Sequence, residues 1–221
     1  MKRLVLASLA AAVFSTSIMA GEWIVLFDGK PTDKLRGYKQ TGFPKENWVI
    51  DGDALKTVPG KAVDLVTVEK FQNYELELEW KVQPAGNSGV IYNVVEGPGA
   101  TYMTGPEMQV LDDDKHPDGK NPKTSSGSLY AMVAPNGEKS LKPVGQWNSA
   151  KLLIKDNHVE HWLNGKKVVE YKWGSDEMKE WIKNSKFKDM TDFAKSTNGG
   201  HIAFQHHGEE VWYRNIRIRK L

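Results

Sequence analysis

Residues 75–81 read Glu-Leu-Glu-Leu-Glu-Trp-Lys, a strict alternation of charged and apolar side chains. A period of two places Leu76, Leu78 and Trp80 on one face of a β-strand and Glu75, Glu77, Glu79 and Lys81 on the other. Three carboxylates and a lysine on one face cannot be buried without partners, so that face is solvated or lines a polar groove. Shorter strand-like runs follow at 88–95, 107–111, 151–155, 159–163, 168–171, 201–207 and 211–219. Turn signals separate them: Asp51-Gly52, Asn136-Gly137, Asn157-His158, Asn164-Gly165 and Asn198-Gly199-Gly200. Asn164-Gly165 is the sharpest, because Asn-Gly supplies the positive φ angles of a two-residue hairpin. Many short strands without βαβ alternation predict an all-β fold, an antiparallel β-sandwich. One stretch departs from the period. Ser175 is placed to cap a helix with Asp176 and Glu177 in its first turn and Met178, Trp181 and Ile182 on one stripe, so residues 175–195 are predicted as a short helical insertion.

The first twenty residues carry a different signal. Lys2 and Arg3 precede an apolar run from Leu4 to Val13 and a small-residue exit ending at Ala20. This is the pattern of a secretory signal peptide cut after Ala20, or after Ser17, and it predicts an exported protein, periplasmic or secreted. The remainder, residues 22–221, reads as one domain, with no repeat, linker or further segment of membrane-spanning length. Removing Lys2 and Arg3 from the 30 basic residues leaves them equal to the 28 acidic ones, so charge gives no reason to expect nucleic acid as a partner. The absence of cysteine excludes disulfide scaffolds, thiolate metal sites and cysteine nucleophiles.

Nucleophile-elbow, phosphate-loop, dinucleotide and H-E-x-x-H patterns are all missing. Asp112-Asp113-Asp114 lacks calcium-loop spacing and reads as a solvated acidic loop. The remaining polar groups lie at strand ends. Gly86-Asn87-Ser88-Gly89 is a turn small enough for close approach of a ligand. Glu107 and Gln109 share a strand face, a carboxylate beside an amide that suits sugar hydroxyls. His201, Ala203, Gln205 and His207 share another by the same alternation. His161 lies on an apolar face with Val159 and Leu163, where a core role outweighs a catalytic one. His116 precedes Pro117 in a loop with little local support, and Trp147 and Trp162 read more readily as core than as sugar platforms.

The wording of the chain resembles the 3-keto-disaccharide hydrolase family. The resemblance rests on Leu26-Phe27-Asp28-Gly29-Lys30, Glu79-Trp80-Lys81, Gly86-Asn87-Ser88-Gly89-Val90 and Gly105-Pro106-Glu107-Met108-Gln109-Val110-Leu111-Asp112. It continues through Gly145-Gln146-Trp147-Asn148, Glu160-His161-Trp162-Leu163-Asn164-Gly165, Ser185-Lys186-Phe187, Gln205-His206-His207-Gly208 and Arg214-Asn215-Ile216-Arg217-Ile218. These occur in family order across residues 22–221. The resemblance implies a concanavalin-like jelly roll with a ligand groove on one sheet and an exported enzyme acting on a small carbohydrate. The family usually reads Gln-Asp-His-Gly where this chain has Gln205-His206-His207-Gly208, so a carboxylate role at 206 does not carry over.

Such an enzyme would cleave 3-keto-glycosides: a ketone at C3 acidifies the C2 proton, a base removes it, and the C1 substituent leaves with help from an acid. This needs a proton-transfer group near neutrality and a cation or dipole for the enolate oxygen. His207 is the expected proton-transfer group, Glu107 its partner acid or base, and Lys186 or Lys81 the enolate cation. A divalent cation is the alternative for that last role, and no metal ligands are assigned. Lys81, Asn87, Gln109, His161 and Gln205 are the expected sugar-binding residues. The competing readings are a lectin-like module that binds glycan without changing it, and a conventional endoglucanase, whose carboxylate-rich strand motif is missing here.

Overall fold

The computed structural model of the protein describes residues 21–221; the segment read as a signal peptide, residues 1–20, lies outside them. In chain order the elements are β1 (Ile24–Phe27), β2 (Leu35–Gly37), β3 (Trp48–Asp51), β4 (Ala54–Thr57), β5 (Leu65–Thr67), β6 (Tyr74–Val82), β7 (Asn87–Val94) and β8 (Glu107–Leu111). They continue with β9 (Asn148–Lys155), β10 (His158–Leu163), β11 (Lys166–Lys172), α1 (Asp176–Lys183), β12 (His201–Phe204) and β13 (Val211–Lys220). An eight-stranded sheet runs β11-β10-β9-β6-β13-β4-β3, with β1 also on β13, and a five-stranded sheet runs β2-β5-β12-β7-β8. Every strand pair is antiparallel. The expected sandwich is therefore the observed architecture.

The alternation that predicted the strands also builds the core. Leu76, Leu78 and Trp80 of β6 and Ile216 and Ile218 of β13 face Val90, Tyr92, Met108, Val110, Ile202 and Phe204 of the smaller sheet, all within one buried cluster. Burial of such side chains contributes roughly 1.5–3 kcal/mol each and is the main force joining the two layers. The Asn164-Gly165 hairpin forms as expected, with φ of +48° and +78°. The preceding turn uses Asp156 and Asn157, at φ +50° and +66°, one residue earlier than the Asn157-His158 signal indicated.

The charged face of β6 is not bare, and Glu77 and Glu79 line a polar hollow of about 630 Å³ with Lys151, Trp162 and Arg217. Glu75, Glu77 and Glu79 pair across the ladder with Arg219, Arg217 and Arg214 of β13. Around this ladder cations cover indole rings: Arg214 and Lys81 lie over Trp147, Lys151 over Trp162, and Arg217 and Arg219 over Trp23. Trp147 and Trp162 are half-buried on this outer surface rather than in the core.

The helical insertion is shorter than predicted. Ser175 caps α1 by accepting the Met178 N–H at 3.1 Å, and the helix ends at Lys183. The Ser185 hydroxyl then donates to Ile182 O and accepts from Phe187 N, local bonds that compete with helical ones. Beyond it, Phe187 and Phe193 fold onto each other with centroids 4.0 Å apart. Residues 185–195 are thus a turn-rich strap closed by an aromatic stack. Among the described residues, no helix is long and apolar enough to cross a membrane.

Candidate active site

The chemistry-bearing side chains gather on the outer face of the five-stranded sheet. β7 meets β8 with Asn87 opposite Leu111, Gly89 opposite Gln109 and Ile91 opposite Glu107. The pleat therefore lines up Asn87, Gly89, Glu107 and Gln109 on one surface. Gly89 has no side chain, and its empty place is filled by Glu107: a Cβ on residue 89 would collide with Glu107 Oε1. Gly89 O also accepts the Gln205 N–H at 2.9 Å, which ties the end of β12 to the same spot.

Loops wall this floor. The stretch between β8 and β9 brings His116, Asp118 and Tyr130, and the strap after α1 brings Lys186. Glu107 is 5% exposed, and burial pushes its carboxyl up to about 8; the charge of Lys186 opposes that rise while Asp64 and Asp118 add to it. Lys186 is an exposed residue whose ammonium pKa is lowered by desolvation from the surrounding protein, and it lies 4.2 Å from the centre of the Tyr130 ring. Tyr130 donates to Asp118 Oδ2 at 3.0 Å, and its hydroxyl pKa is raised chiefly by burial. The site thus pairs a carboxyl group that is neutral at pH 7 with a cation held in partly dry surroundings.

The other side carries two imidazoles. His207 follows β12 in a loop, with Nδ1 2.9 Å from Glu209 Oε2. His116 stands edge to face with it, ring centroids 6.0 Å apart. The acidic run builds the turn that presents His116: Asp112 is buried, accepts Ala85 N, Asp114 N and Lys115 N, and its carbonyl accepts His116 N. Asp113 pairs with Lys139. The expectation of a solvated acidic loop is corrected accordingly, since two of the three carboxylates are tethers. A cavity of about 330 Å³ adjoins His207, lined by Gln205, Asp64, Tyr38 and Tyr102. Asp64 is raised by burial, although Thr101 Oγ1 and His206 N both donate to it.

The structure brings Glu107, Lys186, Asn87, Gln109, Gln205 and His207 to this face. Gln109 is there as scaffold: its amide donates to Thr124 O and accepts from Val110 N. His207 does not continue a strand face with His201 and Ala203, because β12 ends at Phe204. Two expected residues lie elsewhere. Lys81 projects from the outer face of the eight-stranded sheet, where it covers Trp147 and Trp212, because it alternates with the core residue Trp80. His161 is buried between the sheets, bonded to Tyr92 Oη at 2.9 Å and Gly127 O at 3.1 Å, and burial lowers it to about 4. It is a neutral core residue. His206 is also turned away, bonded to Val58 O and edge-on to Trp48.

Among the described residues, two sets of side chains have ligand-type atoms within 4.8 Å of one another: His116, His207 and Glu209, and His158, Glu160 and Glu170. The second set lies on the eight-stranded sheet, where Glu160 already accepts from Trp162 Nε1 and Lys167 Nζ.

The sequence of the chain matches the 3-keto-alpha-glucoside-1,2-lyase-like domain over residues 22–219. The chain belongs to this family. It is 34% identical to the 3-keto-disaccharide hydrolase of Bacteroides thetaiotaomicron over 91% of this chain and 79% of that protein. The β-sandwich seen here superposes on a Parabacteroides distasonis protein described as a glycosyl hydrolase with a TM-score of 0.83, at 34% identity, covering 91% of this chain and 94% of that one. A second Parabacteroides distasonis protein so described gives a TM-score of 0.73 at 27% identity, covering 90% and 100%. His116, which the sequence reading set aside, and Asp118, Tyr130, Asp64 and Glu209, which it did not single out, stand beside these residues in this member of the 3-keto-alpha-glucoside-1,2-lyase-like family. Four lie in loops and Asp118 in a single 3-10 turn, where no periodicity marks them.

Proposed function

We propose that this protein is an exported enzyme that cleaves 3-keto-glycosides by removing the C2 proton and expelling the C1 substituent. The observation that carries the reading is Glu107, buried over Gly89 with its carboxyl near 8, on the same sheet face as Lys186, His116 and His207. A perturbed carboxyl in a cleft beside a cation is what acid–base chemistry requires and glycan binding alone does not. His207 takes the C2 proton, and the electrons move onto the C3 oxygen, where Lys186 balances the charge. Collapse of the enolate restores the C3 carbonyl, forms a C1–C2 double bond and breaks the C1–O bond, with the Glu107 proton going to the departing oxygen. Ionised Glu107 then draws a proton from water as it adds at C1, and protonated His207 returns a proton to C2. Release before hydration makes the enzyme a lyase, and release after it a hydrolase. Asn87 and Gln205 orient the ring from the floor.

The reading also draws on the name of the Bacteroides thetaiotaomicron relative and, for export, on the character of residues 1–20. In the decisive assay, 3-keto-glucosides release aglycone and unoxidised glucosides do not. His207→Ala lowers turnover by roughly a hundredfold or more, the scale of losing a proton-transfer group. Saturable sugar binding without product from either substrate defeats the proposal in favour of a lectin-like module.

A further inference from the structure

His116, His207 and Glu209 converge as a metal-binding set would, yet their hydrogen bonds assign a different task. A divalent ion bound at Nε2 of His116 needs a lone pair there, which puts the ring proton on Nδ1. That nitrogen accepts the backbone N–H of Asp118 at 3.2 Å, so it carries the lone pair itself and the neutral ring holds its proton on Nε2. The neighbouring amide agrees. Asn87 Oδ1 is buried without a partner, while Asn87 Nδ2 sits 3.4 Å from His116 Nε2. Turning the amide end for end brings the orphaned oxygen to an N–H donor and removes a facing of two donors. His207 is in the reverse situation: the Glu209 carboxylate accepts at Nδ1, 2.9 Å away, which keeps the proton on Nδ1 and the lone pair on Nε2.

We infer that the site holds two imidazoles in fixed and opposite tautomers: His207, oriented by Glu209, offers a base at Nε2, and His116, oriented by the Asp118 backbone, offers a hydrogen-bond donor at Nε2. This rests on the proposed reaction for its use, though the tautomers themselves do not. Glu209 is a positioning residue that acts through His207. His116 is a neutral donor toward an oxygen of the bound sugar, a role that survives without change of charge.

The tautomers are read in the free protein by long-range ¹H–¹⁵N correlation NMR on ¹⁵N-histidine-labelled samples, at a pH where both rings are neutral. The expected spectrum shows Nδ1–H for His207 and Nε2–H for His116. Glu209→Gln converts His207 to a mixture and leaves His116 unchanged, with far-UV circular dichroism and Tm as controls for folding. In turnover, Glu209→Gln lowers kcat on the order of ten- to a hundredfold with KM little changed. That is less than the ~10⁴-fold loss for a buried carboxylate that orients a catalytic histidine, since this pair is solvent-exposed. Glu209→Asp restores part of the rate. His116→Gln, which keeps an N–H donor, retains more activity than His116→Ala. Nε2–H on wild-type His207, or a tautomer unmoved by Glu209→Gln, overturns the inference. So does saturable binding of Zn²⁺ or Mn²⁺ that removes the His116 Nε2–H signal. Absence of turnover on 3-keto-glycosides with the stated tautomers present defeats the proposed reaction and leaves the tautomer assignment standing.

Discussion

Glu107 takes its character from where it is kept rather than from any partner that binds it: burial dominates its shift, and the other influences are charges. A folded-state pKa raised from 4.5 to about 8 means that the fold favours the protonated carboxyl. The associated stability is fully present below the ordinary carboxylate range and is lost as pH climbs through about 8. Glu107→Gln mimics the neutral form, so its Tm relative to wild type should rise between about pH 5 and pH 9. The same substitution removes the proton donor and should lower kcat/KM by roughly a hundredfold or more; it should also abolish the fall in activity expected of wild type as Glu107 ionises. Gly89→Ala tests the packing beneath: the added methyl displaces the Glu107 carboxyl, so turnover falls while circular dichroism keeps its β signature. Unchanged turnover in that variant would mean that the carboxyl does not act from the place it occupies over Gly89.

At the scale of single elements, the long strands were legible because alternation and burial coincide, as at β6, where every second residue enters the core. β1 to β5 were not, since runs of three or four residues are too short to show a period. The same limit governed the site. Glu107 sits on a strand whose pleat fixes its face, as the alternation indicated, whereas Asn87, read as part of a turn, opens β7. His116 and Glu209 sit in loops and Asp118 in a 3-10 turn, and the shape of such segments comes from tethers such as Asp112, which no local pattern reveals. Lys81 was misplaced because alternation tells which residues share a face but not which side of the molecule that face is on. For α1 the legible part was the cap: Ser175→Ala should cost about 1 kcal/mol, read as a lower Tm, without altering turnover, because the helix supports the strap only from its far end.

Across the whole molecule, two histidines separate stability from chemistry. His161 lies between the sheets, where its bond to Tyr92, itself bonded to Tyr171 at 2.7 Å, closes a polar chain inside the core. His161→Ala leaves a cavity and an unpaired hydroxyl, so it should cost about 2–4 kcal/mol and lower Tm by roughly 5–15 °C. Turnover per folded molecule should stay near wild type. His207→Ala should do the opposite, with Tm held and turnover lost. Matched losses of both properties in the two variants would erase the distinction between core and site. The layering has a further effect through β13, last of the strands in chain order yet interior to its sheet, hydrogen-bonded to β6 and β4 with β1 also joined to it. Until residues 211–220 emerge from the ribosome, β6 and β4 each present an open edge and the larger layer exists only as halves. The larger layer is therefore completed late by construction, and a growing chain has raw borders to shield until its keystone arrives.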